Sequence, residues 1–172
     1  MGFTPTSGLV MGTRTGDLDP GVAWFLMQSE KLNPEQFNNL TNHQSGLLGI
    51  SETSFDMQDL LKLQLKDNRA AEAVELFCYQ TKKWIGSFAA VLEGLDTIVF
   101  AGGIGENAPE IRSRICNGLQ FLGIEIDEKR NTENEDIIST GKSKVTVRVI
   151  KTNEELMIAK SVCSFLNIPD KK

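Results

Sequence analysis

The apolar positions of this chain fall into helical stripes interrupted by two short strand-like runs. From Arg69 to Glu93, apolar or small residues recur at 74, 77, 78, 81, 84, 85, 88, 91 and 92. That spacing keeps them on one face of a helix of about seven turns. Gly94 stands at the usual C′ position to end it, and Trp84 and Phe88 are expected as core packing. Thr97-Ile98-Val99-Phe100 is β-branched and aromatic, the pattern of a strand buried on both faces in a parallel sheet. Lys144 to Ile150 alternates as a second strand should. Asp19-Pro20 and Asn33-Pro34-Glu35 each set an N-cap before a first-turn proline, predicting helices to about Ser29 and about Thr41. Ser45 to Ser51 reads as a turn, and Ser54 to Asp59 opens a short helix. Pro109 to about Phe121 makes a helix closed by Gly123. Residues 125–134 begin with a short strand and become a polar connection, with Asn131 to Asp136 as a solvated loop. Thr152-Asn153-Glu154-Glu155 caps a last helix. Strands alternating with helices give an α/β fold with a mostly parallel sheet flanked by helices. The two strands are expected side by side, with the long helix packed across them.

Directly after the first strand come glycines at 102, 103 and 105, then Glu106, Asn107 and the helix opening Ala108-Pro109-Glu110. Glycine allows a sharp turn and lets a ligand approach the main chain where a Cβ would collide. A helix start aims unpaired N–H groups back at such a loop, which outlines a nucleotide or phosphate cradle. The spacing is no Rossmann fingerprint, because Ala108 stands where the third glycine belongs. Nor is it a P-loop, since no Gly-Lys-Ser/Thr follows. A tight strand–helix turn without a ligand is the plain alternative.

Two more polar clusters stand near element ends. Met11-Gly12-Thr13-Arg14 lies in a glycine-rich stretch over residues 1–21, and a loop arginine is what phosphoryl transfer needs to neutralise the moving group. Asn153-Glu154-Glu155 follows the second strand, at the sheet end where α/β folds collect ligands. A carboxylate there suits a Mg²⁺ ion bridging nucleotide phosphates. Arg14 reads equally as a surface arginine, and Glu154 as a first-turn carboxylate favoured by the helix dipole. His43, the sole histidine, falls at a helix end and reads as a cap or surface group rather than a catalytic base.

Charge narrows the classes further. A net charge of −5 over 172 residues, with no Lys/Arg run beyond pairs, argues against nucleic acid or an anionic membrane as partner. Cys78, Cys116 and Cys163 are scattered within apolar helical patterns and read as reduced core residues of a cytoplasmic protein. No signal peptide is expected at Met1 to Pro5, and no apolar run approaches the ~20 residues of a membrane span.

Five motifs together carry a resemblance: Met1-Gly2-Phe3-Thr4-Pro5, Met11-Gly12-Thr13-Arg14, Asp17-Leu18-Asp19-Pro20, Gly102-Gly103-Ile104-Gly105-Glu106-Asn107 and Thr152-Asn153-Glu154-Glu155-Leu156. In order and spacing they closely resemble the carboxyl-terminal half of the acetate kinase family. That family includes the propionate kinases and belongs to the sugar-kinase, heat-shock-chaperone and actin superfamily. The resemblance implies a second, nucleotide-binding domain of that fold over residues 1–172, with the terminal helix at about 154–168 belonging with the amino-terminal domain. It implies ATP or ADP and Mg²⁺ as cofactors, acetate or another short carboxylate as acceptor, and a cytoplasmic homodimer.

By the same resemblance, Arg14 matches the arginine that contacts the transferred phosphoryl group. Gly102, Gly103, Ile104, Gly105, Glu106 and Asn107 match the loop under adenosine and ribose. Glu154 matches the Mg²⁺-associated glutamate, with Glu155 next in register. Asp56, Met57 and Gln58 match a nucleotide-side segment in which Gln58 departs from an arginine. Glutamine supplies neither charge nor a guanidinium plane, so nucleotide affinity or base preference is expected to differ. Ala101 departs from a frequent threonine.

The family's amino-terminal half carries the first phosphate loop, the catalytic aspartate and the acceptor-side residues, and none of these motifs occurs here. Met1 falls on an internal methionine of the family pattern. The chain is therefore expected to be part of a longer kinase and inactive alone. The rival class is a non-catalytic nucleotide-binding or dimerisation module, and Arg14 with Glu154 favours the enzyme.

Overall fold

Two parallel strands set the frame. In the computed structural model, which describes residues 2–166 and 168, β1 (Thr97–Phe100) lies beside β2 (Thr146–Val149), with Thr97 opposite Thr146 and Phe100 opposite Val149. Met1 of the opening motif, Asn167 of the expected terminal helix and residues 169–172 lie outside the described residues. The strands are parallel neighbours, as their sequence patterns predict, and their carboxyl ends finish side by side. The Ile150 N–H donates to the Phe100 carbonyl at 2.9 Å just beyond the last pair. β1 is not buried on both faces: Phe100 is buried, but Val99 is 49% exposed. On β2, Val147 and Val149 are buried while Arg148 between them is exposed.

Ahead of the sheet the described residues form five helices. α1 (Pro20–Ser29) and α2 (Pro34–His43) begin at the two cap–proline pairs. Asn33 and Gln36 form a reciprocal capping box. Ser45 to Ser51 is no simple turn, because Gly46–Ser51 forms α3. α4 (Met57–Leu63) starts at Asp56, and α5 (Asn68–Val91) at Asp67.

α5 buries Ala70, Ala73, Val74 and Cys78. It packs chiefly on α3 and α4 and on α7 (Pro109–Cys116), rather than across the sheet. The core therefore runs from Leu47, Leu60 and Val74 through Ile111 and Ile115 to Phe100 and Val147. The stripe stops being core toward its end. Trp84 is half-buried and Phe88 is 54% exposed, and the two rings stack on each other at 5.5 Å. Glu93, not Gly94, takes the left-handed C′ position at φ 60°, and the Gly94 N–H closes the motif on the Ala89 carbonyl.

After β1 the glycine stretch is helical: Gly102–Asn107 forms α6. α7 ends at Cys116, short of Phe121, and a separate 3-10 turn at Gln120–Leu122 is closed by Gly123. The connection at 125–134 is not all polar loop. Ile126 bridges Ser139, and α8 (Glu128–Thr132) follows, carrying Asn131 into the interior at 1% exposure. α9 (Glu154–Phe165) has no buried residue, and Ile158 on it is 64% exposed. Cys163 is accordingly only half-buried, unlike Cys78 and Cys116. Among the described residues no helix is long and apolar enough to cross a membrane.

Candidate functional site

The first N–H groups of a helix lack partners within it. At α3 the carbonyls of the Arg14 segment fill that role. Ser45 N–H donates to Thr13 O at 3.0 Å, Leu47 N–H to Met11 O at 2.9 Å and Leu48 N–H to Gly12 O at 2.9 Å. The Thr13 hydroxyl donates to Asn42 O at 2.9 Å, and the Met11 N–H returns to Arg14 O at 3.1 Å. So this is not a loose loop. Gly46 is what lets the two segments meet. Its φ is +65°, and a Cβ there would lie 2.1 Å from Met11 O and 2.8 Å from Arg14 O. With its backbone fixed, the Arg14 guanidinium has no hydrogen bond or ion pair among the described residues. It borders a cavity of about 310 Å³ together with His43 and Phe55. His43 closes α2 at the surface, a helix-end position, and faces the same space as Arg14.

The glycine turn is built differently from an open phosphate loop. Gly102 has φ +72°, and its N–H, the first of α6, is taken by Glu106 Oε1 at 2.9 Å. Ala101 offers no side chain to cap it. Asn107 Nδ2 donates to the Gly103 carbonyl at 3.0 Å. A Cβ on Gly103 would meet nothing within 4 Å, so the turn leaves open space over that backbone. Glu106 Oε1 also accepts the Thr152 N–H and hydroxyl, at 2.8 and 2.9 Å. These bonds, led by the Thr152 N–H, hold the Glu106 carboxyl below its ordinary range.

Beneath the turn lies a residue that sequence reasoning missed. Arg112 is wholly buried, and its three nitrogens all donate. Nε reaches Asn131 Oδ1 at 2.7 Å, and Nη2 reaches Asn131 O and Asn134 Oδ1, both at 2.6 Å. Nη1 reaches the Gly105 and Glu106 carbonyls at 2.8 and 3.1 Å. These last two are end-of-helix carbonyls of α6, which lack partners of their own. Five N–H donors thus meet five neutral oxygens, and burial pushes the guanidinium pKa down from its usual range. The only local signal was an asparagine-rich stretch, which reads as surface.

Asp56, Met57 and Gln58 meet the glycine turn across a cavity of about 570 Å³, whose walls include Phe55, Ile104 and Pro109. Gly103 and Asn107 border it too, while Gly102, Gly105 and Glu106 do not. Met57 is buried, the Asp56 carboxylate is engaged by the Gln58 N–H at 2.8 Å as the α4 cap, and Gln58 is exposed. The walls are mostly apolar with a few polar groups, and the volume lies in the range of small-molecule sites. Phe55 borders both this cavity and the one at Arg14. The two therefore adjoin.

Glu154 is set apart. It is the first residue of α9, exposed, and its carboxylate has no hydrogen bond or ion pair among the described residues. No group of three His, Cys, Asp or Glu side chains among those residues is placed to hold a metal ion. A hard cation carried by a nucleotide needs only one or two protein carboxylates, since phosphates and water supply the other ligands. The exposed carboxylates of Glu154 and Glu155 fit that donor set. Burial pushes the Cys78 thiol up to about 11 and Cys116 up to about 12, so both are neutral and take no part in thiolate chemistry.

Comparison with known proteins gives concordant matches. The profile of the Acetokinase family matches residues 1–160. Acetate kinase of Clostridium acetobutylicum is 52% identical over 165 residues, and that of Coprothermobacter proteolyticus 48% over 163. Each alignment takes in 93% of this chain and 41% of the relative. Among solved structures, Porphyromonas gingivalis acetate kinase superposes with a TM-score of 0.88 at 41% identity, covering 96% of this chain and 43% of that one. A propionate kinase from Francisella tularensis gives 0.87 at 41% identity, covering 93% and 41%. The chain spans about two fifths of the length of these relatives.

Proposed function

The chain belongs to the acetokinase family, and from that membership we propose that it supplies the nucleoside side and part of the phosphoryl site of an acetate kinase. The reaction is reversible transfer of the γ-phosphoryl of ATP to a short carboxylate, giving acetyl phosphate and ADP from acetate. A single observation carries the reading: the apolar cavity at the glycine turn and the cavity at the unpaired Arg14 adjoin at Phe55. A nucleotide has that polarity, a flat apolar base at one end and anionic phosphates at the other. Gly103, Ile104 and Asn107 bound the base end, with Asp56, Met57 and Gln58 opposite. Arg14, held by α3, places positive charge where the transferring group collects negative charge. Glu154 would hold a Mg²⁺ ion brought in with the nucleotide, and that ion would supply charge neutralisation at the phosphates.

On this reading the 172-residue chain forms no acetyl phosphate alone. The acceptor-side contacts belong to the part of the relatives that has no counterpart in this sequence. Exposed Trp24 and Phe25 on α1 support contact with a second copy. Acetate and propionate kinases both stand among the neighbours, so the acceptor is named here as a short carboxylate, acetate first.

The test is calorimetric titration of the chain with ADP and Mg²⁺. Weak but measurable binding is expected, reduced at least tenfold by Gly103→Val. A Cβ there points into open space, with nothing outside its own turn within 4 Å, so the added side chain is aimed at the ligand rather than at the core. Affinity that survives Gly103→Val would move the nucleotide elsewhere.

A further inference from the structure

Glu106 belongs to the glycine turn, yet it does not border the cavity beside it. Its Oε1 instead gathers three donors: the Gly102 N–H, the Thr152 N–H and the Thr152 hydroxyl, all between 2.8 and 2.9 Å. Gly102 opens α6, and Thr152 lies on the connection from β2 to α9, just ahead of Glu154. One carboxylate oxygen therefore joins the two segments that leave the carboxyl ends of the parallel strands.

What makes this junction matter is how little else holds α9. No residue of α9 is buried. Asn153 spends its side chain on capping α9 itself, accepting the Leu156 N–H at 2.9 Å. Among the described residues, the two bonds from Thr152 to Glu106 are the only hydrogen bonds or ion pairs joining residues 151–166 to residues 2–150. The last tie before them is the Ile150 N–H to the Phe100 carbonyl.

We propose that Glu106 is a positioning residue, a clasp that fixes the start of α9, and with it Glu154, against the glycine turn. It acts through Thr152 and touches no nucleotide. The inference deepens the nucleotide reading above and rests on it for its functional meaning. The clasp itself is a property of the unliganded chain. A charged acceptor shared by three donors is the strong kind of hydrogen bond, and Glu106→Gln keeps an oxygen there while losing the charge.

The experiment is hydrogen exchange of the 172-residue chain without nucleotide, followed at residues 152–160 and, as a control, at β1 and β2. With Glu106→Ala, exchange at 152–160 should quicken at least tenfold while the strands stay unchanged. Glu106→Gln should recover most of the protection. Thr152→Val keeps the N–H donor and loses the hydroxyl, so it should fall between. Should Glu106→Ala fail to fold, Thr152→Val decides alone, and unchanged exchange at 152–160 overturns the clasp. ADP titration of the same variants separates the two readings. A chain that binds no ADP removes the nucleotide assignment and leaves the exchange result standing. A Glu106→Ala variant that loses ADP affinity with unaltered exchange makes Glu106 a nucleotide contact and overturns the proposal.

Discussion

Glu106 and Thr152 lie 46 positions apart in the chain, yet one carboxylate oxygen of the first accepts both the N–H and the hydroxyl of the second. Parallel pairing is the cause. Phe100 stands opposite Val149, so the segments that leave the two strands emerge together, where ligands of α/β sheets gather.

That relationship has a pH signature. The hydrogen bonds from Thr152 hold the Glu106 carboxyl below its ordinary 4.5. A carboxyl lowered in the folded state adds stability above its unfolded value and loses it as pH falls through the folded value. Thermal unfolding of the wild type should therefore decline more steeply than that of Glu106→Gln from about pH 5 to about pH 3. Parallel declines would show that the carboxylate gains nothing from Thr152.

Gly46 is the residue on which the Arg14 segment closes. Gly46→Ala must relieve both a left-handed backbone and a Cβ placed 2.1 Å from Met11 O. A loss of at least about 2 kcal/mol is expected in urea unfolding. Gly141→Ala is the control: a Cβ there meets nothing within 4 Å, and the change should cost far less.

Arg112→Met keeps much of the apolar stem and removes every donor. The Gly105, Glu106 and Asn131 carbonyls and the Asn131 and Asn134 amide oxygens then lose the guanidinium. Stranding the buried Asn131 Oδ1, together with the part-buried Gly105 and Glu106 carbonyls and the Asn134 amide oxygen, should cost roughly 3 kcal/mol or more. Lys62→Ala, which removes an exposed pair with Asp59, should cost under about 0.5 kcal/mol. Urea midpoints for the two variants check the contrast. A small loss for Arg112→Met would mean that water serves those oxygens as well.

These residues mark how far the sequence could be read. Thr97 to Phe100, the proline-led starts of α1 and α2 and the length of α5 depend on neighbours within a few positions, and they were legible. The parallel pairing followed from strand–helix alternation. Arg112 with Asn131 was not legible, because its partners lie 19 positions away and an asparagine in a polar run resembles surface. α3 resembled a turn because Gly46 and Gly49 weaken a helix locally, while the carbonyls that cap it come from Met11 to Thr13. At the candidate site, the glycines, Arg14 and the 56–58 segment could each be singled out. Their adjacency at Phe55 could not, being set by how α3 and α4 pack on α5.

On the function proposed above, this chain holds one part of a phosphoryl-transfer site, with Arg14 in the mechanism. The direct measurement is a hydroxamate assay for acetyl phosphate on the 172-residue chain, with and without the amino-terminal part of a relative such as Clostridium acetobutylicum acetate kinase. The prediction is no product from the chain alone and measurable product from the mixture. With Arg14→Ala the mixture's rate should fall by ~10²–10³, the usual cost of losing one preorganised charge at a transition state. Product from the chain alone, or a mixture indifferent to Arg14→Ala, would contradict the claim.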